Sequence, residues 1–206
     1  MTTATRTRQL AGTGDGIGQR WFWLTFSAVA GGELLFAVIS GLLDGGGTVA
    51  DIAGHLPTLV ALGILISWSQ HRALDLPLPV KPALVAGLGT FFSYGLAYAI
   101  LGPPVDFLLG LVVTGFVTST ILWRSLRRSG VRRFTCIGGI GSAYLVGAIA
   151  GVAAAIALGD QVDHAFGSGV PGFTAVVTMI GIVAGAVGGG LSAIPVTRMM
   201  RNRVPA

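Results

Sequence analysis

The chain alternates long apolar stretches with short polar or charged breaks. Six stretches approach or exceed the ~20 apolar residues that a helix needs to cross a hydrocarbon core. They are Trp21–Leu43, Ile52–Ser69 with Pro57 inside it, Pro82–Leu101, Pro104–Trp123, Ile137–Gly159 and Gly172–Val196. The runs are continuous rather than alternating, which favours helices over a transmembrane β-barrel. The pattern therefore predicts an all-α integral membrane protein with six transmembrane helices. It divides the chain into an N-terminal cytoplasmic tail (1–20), a six-helix domain (21–196) and a basic C-terminal cytoplasmic tail (197–206). The first residues carry Arg6, Arg8, Asp15 and Arg20 among Thr and Gly, which reads as a tail and not as a removable signal peptide.

Composition supports this class. Of the 206 residues, 52% are hydrophobic and only 10% charged, whereas soluble domains average about 25% charge. So few charges cannot cover a soluble surface, and so apolar a chain is not disordered. Cys136 stands alone, which excludes a disulfide scaffold.

Charge placement sets the orientation, because Arg and Lys collect in cytoplasmic loops. With the N-terminus inside, Arg6, Arg8 and Arg20 lie in the N-tail, and Arg72 and Lys81 in loop 2–3. Arg124, Arg127, Arg128, Arg132 and Arg133 lie in loop 4–5, and Arg198, Arg201 and Arg203 in the C-tail. Together these are all 13 basic residues. The outer side has Asp44, Asp51, Asp106, Asp160 and Asp163, five of the eight acids, and no basic residue. The net charge of +5 thus follows from topology and lipid-headgroup contact and implies no nucleic-acid partner. Nearly all the basic residues are Arg, which fits GC-rich coding and a prokaryotic plasma membrane.

Two periodicities lie inside the spans. The outer turns repeat Val49-Ala-Asp51, Val105-Asp106 and Val162-Asp163, and Trp68-Ser-Gln-His-Arg72 is echoed by Trp123-Arg-Ser-Leu-Arg127. This suggests three helical hairpins of one type, as in many transporters. Small residues recur every fourth position in the fifth span (Gly139, Ala143, Gly147, Gly151, Ala155, Gly159) and in the sixth (Gly181, Gly185, Gly189, Ala193). Helices in lipid associate by close contact along such stripes. The expectation is internal packing, with docking of a membrane-protein partner through a Gly/Ala stripe as the alternative.

Glu33 is the one acid deep inside a predicted span. A central charge costs about 2.5–3.5 kcal/mol on insertion scales, so such residues face the bundle interior and usually serve a function. Glu33 could carry a proton, donate a hydrogen bond when neutral, or bind a cationic group when ionised. Tyr94 and Tyr98 share a face of the third span. Thr114 and Thr118 share one of the fourth, and Tyr144 lies in the fifth. Glu33, Tyr94, Tyr98 and Thr118 are the candidate ligand or proton site. On the outer side, Asp51 and His55 share a helix face beside Pro57, and Asp163 and His164 are adjacent in loop 5–6. With Asp106 these form a candidate cation-attracting vestibule, although Asp51 and Asp106 also suit helix N-caps. Their spacing matches no metal-ligand pattern. Trp21, Trp23, Trp68 and Trp123 read as an interfacial belt, and Gln70-His71-Arg72 as a solvated helix end.

The sequence names no cofactor. It lacks a phosphate-binding GxxxxGK[ST] loop and a CxxC, and no lysine lies in a span. His55, His71 and His164 are not spaced to hold a haem between spans. The architecture of six helices with both termini inside resembles the small substrate-binding subunits of energy-coupling-factor vitamin transporters. That resemblance implies docking of a transport subunit through small residues of the first helix, here Ala28 and Gly32. Three readings follow. The first is a transport protein, or a transporter's membrane subunit, for a small solute. The second is a non-catalytic subunit or assembly factor of a membrane complex. The third is a membrane-embedded enzyme acting on a lipid or isoprenoid, which needs two ionisable groups in one pocket.

Overall fold

The computed structural model describes residues 14–43, 48–102, 105–167 and 169–201. Among them run six long helices: α1 Gly14–Leu43, α2 Thr48–Ala73, α3 Val80–Leu101, α4 Val105–Leu126, α5 Gly139–Phe166 and α6 Val170–Arg201. A short π-helical turn, Phe134–Gly138, leads into α5. No strand occurs among the described residues. Among the described residues, five segments are long and apolar enough to cross a membrane: Gly16–Leu42, Val80–Leu101, Val105–Ser129, Phe134–Phe166 and Val170–Arg201. α2 is 26 residues long with Pro57 inside it, and the side chains of 48–54 lie outside the described residues.

The helices outrun the apolar stretches that mark them. α1 starts within the tail, and α6 continues past Pro195 to take in Arg198 and Arg201. α5 runs on to Phe166, so Asp163 and His164 sit on its last turns and not in a loop. Asp51 is the fourth residue of α2 and Asp106 the second of α4, so neither is an N-cap. The reason is general. Hydropathy registers only the part of a helix that lies in hydrocarbon, whereas backbone hydrogen bonding continues through polar residues until something stops it. For α5 the stop is Gly167, whose φ of 85° lies in the left-handed region.

The six helices form a ring in chain order. Each packs on the next, α6 closes on α1, and α2 also touches α4 across the ring. The small-residue stripes make close contacts of this kind. A Cβ on Gly147 of α5 would lie 2.6 Å from the carbonyl oxygen of Ala184 and 2.9 Å from the Gly188 nitrogen, both in α6. Gly151 meets Ile180 in the same interface. On the other side of α6, Gly185 and Gly189 face Phe26 and Phe22 of α1. At these positions the stripes are covered within the chain. Ala28 and Gly32 are buried too, with Gly32 against Leu62 of α2, so the docking face implied by the resemblance is occupied by the protein's own second helix.

The Arg-rich end is tied together by two cross-links. Arg20 of α1 donates to Asp75 at 2.7 and 2.8 Å and to the Arg72 carbonyl at 2.6 Å. The Arg20 guanidinium holds the Asp75 carboxyl below the usual carboxylate range. Trp21 is fully buried, and its Nε1–H donates to Ser192 Oγ of α6 at 2.9 Å. Trp21 is therefore core rather than interfacial belt. It lies on the α1 face that also carries Thr25, Ala28, Gly32 and Phe36, at steps of three or four residues, and that face points inward. Trp23 and Trp68 are exposed on the outside of the bundle.

Candidate functional site

At the end of the bundle away from the Arg residues, five helices surround a cavity of about 380 Å³. α1 contributes Phe36 and Ser40, α2 His55, α3 Tyr94 and Tyr98, α4 Asp106 and Phe107, and α6 Phe173. Helical periodicity explains the assembly. Phe36 and Ser40 are three and seven residues beyond Glu33, so all three share one face of α1, and Tyr94 and Tyr98 share one face of α3.

The cavity is walled by rings. Phe36 lies 5.1 Å from the His55 ring, 5.9 Å from Phe107 and 6.3 Å from Tyr94, centre to centre. Tyr94 meets Phe107 edge-on at 6.1 Å. Behind this wall lies Glu33, fully buried. The Tyr94 hydroxyl donates to Glu33 Oε1 at 2.6 Å, a short and strong hydrogen bond. Glu33 Oε2 has no hydrogen-bond partner among the described residues. Two glycines make room for the pair. A Cβ on Gly181 of α6 would lie 2.6 Å from Glu33 Cβ, and one on Gly110 of α4 would collide with the Tyr94 ring. Asp106 is 5% exposed, lines the cavity and leaves Oδ1 without a partner among the described residues.

The structure thus gathers Glu33, Tyr94, Tyr98, His55 and Asp106 at one end of the bundle. It does not bring Thr118 to them. Thr118 belongs to a second buried group toward the Arg-rich end, where Gln70 Nε2 donates to Thr118 Oγ1 at 3.2 Å and to the Tyr144 hydroxyl at 3.3 Å. Next to it, His71 Nε2 pairs with Ser125 Oγ at 3.1 Å and Nδ1 with the Ser67 carbonyl at 2.8 Å. Gln70 and His71 are fully buried, which corrects their reading as a solvated helix end: the last turns of α2 tuck against α4 and α5. Between the two groups, Thr114 Oγ1 donates to Thr90 Oγ1 at 3.1 Å. Asp163 and His164 do not line the cavity, and the side chain of Asp51 lies outside the described residues. Among the described residues no three His, Cys, Asp or Glu side chains gather as a metal site.

Sequence reasoning missed Phe36, Phe107 and Gln70. Phe36 was reachable from its three-residue offset to Glu33. Phe107 and Gln70 carried no such signal, because an aromatic or an amide near a span end is ordinarily lipid- or solvent-facing.

The chain matches no family model, no curated protein and no solved structure. Its long apolar helices are compatible with a multi-pass membrane protein, and they enclose a ring-walled cavity backed by a buried acid.

Proposed function

We propose that the protein is a small-solute transport protein, or the solute-binding membrane subunit of a transporter, in a prokaryotic plasma membrane. In this reading α2 is the sixth span, both termini are cytoplasmic, and the cavity opens to the outside. The observation that carries it is the cavity whose wall hydrogen-bonds a buried acid. Its volume falls within the usual ~300–1,000 Å³ of small-molecule sites, and a carboxyl at membrane depth is seldom kept without a function. Glu33, reached through Tyr94, is the polar or proton site of this reading. The stripe glycines that pack inside the bundle withdraw one argument for the alternative of a non-catalytic subunit docked through them.

Native mass spectrometry of the protein gently extracted from its host tests the proposal. A bound small molecule is expected on the wild type and weakened by Glu33→Gln. A stoichiometric protein partner without any ligand would overturn it in favour of the subunit reading. One observation favours the enzyme reading: a second ionisable group, Asp106, lines the cavity whose wall separates it from Glu33. Turnover of an isoprenoid or lipid substrate, abolished by Asp106→Asn and Glu33→Gln alike, would establish that reading instead.

A further inference from the structure

We infer that the cavity binds a small organic cation, an alkylated or protonated ammonium group enclosed by Phe36, Tyr94 and Phe107 and paired with Asp106. This rests on the cavity being a solute site, as proposed above, and names the class of solute. Three independent features point the same way.

The first is the wall. Phe36, Tyr94 and Phe107 stand in mutual contact around the space, with the rings of Tyr98 and Phe173 also lining it. Aromatic faces attract cations, and enclosure by several rings is the way proteins hold alkylammonium groups. The second is charge. Asp106 is 95% buried by the complement of its 5% exposure, lines the cavity and has an oxygen lacking a partner among the described residues. Glu33 lies just behind, its Oε2 without a partner among the described residues. Among the described residues no Lys or Arg lines the cavity. An anion entering here would meet the Asp106 carboxyl, with Glu33 behind the wall, and His55 as the one basic side chain among the described lining residues. The third is the scarcity of oxygen ligands. A bare inorganic cation such as calcium replaces its hydration shell with roughly six to eight oxygens, whereas this lining is mainly ring and aliphatic carbon. A cation that carries its own apolar shell suits it.

The test uses the full chain in dodecyl maltoside micelles and three probes of nearly equal shape: choline, its neutral carbon analogue 3,3-dimethyl-1-butanol, and the anion 3,3-dimethylbutanoate. Isothermal titration calorimetry is expected to show choline binding with a Kd of about 1 mM or tighter. It should bind about tenfold more tightly than the neutral analogue, with no detectable binding of the anion. Phe36→Leu, which keeps bulk and removes the ring, and Asp106→Asn should each weaken choline about tenfold and leave the neutral analogue unchanged. Phe107→Leu repeats the ring test from α4 should Phe36→Leu not fold. Equal binding of choline and the alcohol, or preference for the anion, would overturn the cation inference while leaving a solute cavity standing. Binding of none of the three overturns the inference. If native mass spectrometry also finds no retained small molecule, the transport reading fails with it.

Discussion

Removal of the Tyr94 hydroxyl gives the sharpest check on the site. Tyr94→Phe keeps the ring in the cavity wall and deletes the donor that sits 2.6 Å from Glu33 Oε1. Both carboxyl oxygens would then lack a partner among the described residues, since Oε2 has none already. Orphaning a buried acceptor costs about 1–3 kcal/mol, while hydrogen bonds between membrane helices are themselves worth about 0.6 kcal/mol on average. Tyr94→Phe is therefore expected to destabilise by about 1–2 kcal/mol. Glu33→Met, unbranched and apolar, removes the acid and should be neutral or stabilising, because the loss of a costly central carboxyl offsets the newly orphaned tyrosine hydroxyl. The diagnostic is the double variant. With no carboxyl left to orphan, Tyr94→Phe should cost nothing in the Glu33→Met background, so the two changes couple by about 1 kcal/mol or more. Denaturant unfolding of the four proteins in micelles, followed by tryptophan fluorescence, measures this directly. An equal cost of Tyr94→Phe in both backgrounds, or no cost in either, would refute the assignment of this pair as a buried hydrogen-bonded unit. A stable Glu33→Met protein that no longer retains its small molecule would further show that the acid is kept for function at the expense of stability.

Other consequences are open to simpler measurements. Gly147→Ala must part α5 from α6 by about 0.7 Å to reach an ordinary C–H···O separation of ~3.3 Å, and should lower stability by about 1–2 kcal/mol. Gly159→Ala on the same helix, with nothing within 4 Å, should be neutral or stabilise by up to about 1 kcal/mol through helix propensity; thermal melts that rank the two the other way would contradict the packing. The Asp75 carboxyl is depressed by Arg20, so its contribution is full above the unfolded-state value near ~4 and is lost as pH falls through the lower folded value. Melting temperatures of the wild type should therefore fall more steeply than those of Asp75→Asn below about pH 4, and added salt should shrink the difference; parallel curves would count against the pair. Gln70→Leu removes donors to both Thr118 and Tyr144 and should destabilise by about 1 kcal/mol without changing choline binding, which separates this inner group from the cavity.

What could be read directly from the chain was set by local rules. Lipid solvates no backbone polar group, so a continuous apolar run of sufficient length commits itself to a helix, and Trp21–Leu43 or Pro104–Trp123 could hardly be anything else. Small residues at every fourth position face one side of a helix whatever lies opposite, which is why the tight contact of Gly147 and Gly151 with α6 was foreseeable. Glu33 was legible for the same reason: one acid in an apolar run has no lipid-facing solution. Helix ends were not legible, because hydropathy reports depth and not hydrogen bonding, so Asp51 and Asp106, which suit caps as well as a vestibule, lie inside helices. Nor was the partner of each polar group. Only the closing of the ring, α6 on α1 and α2 beneath α4 and α5, decided that Tyr94 would meet Glu33, that Gln70 and Trp21 would be buried, and that Thr118 would lie with Gln70 and not with the acid. Sequence fixes which face of a helix is apolar or small, but which residue lies across from it depends on the rotation and height of another helix, and many weak contacts settle these together.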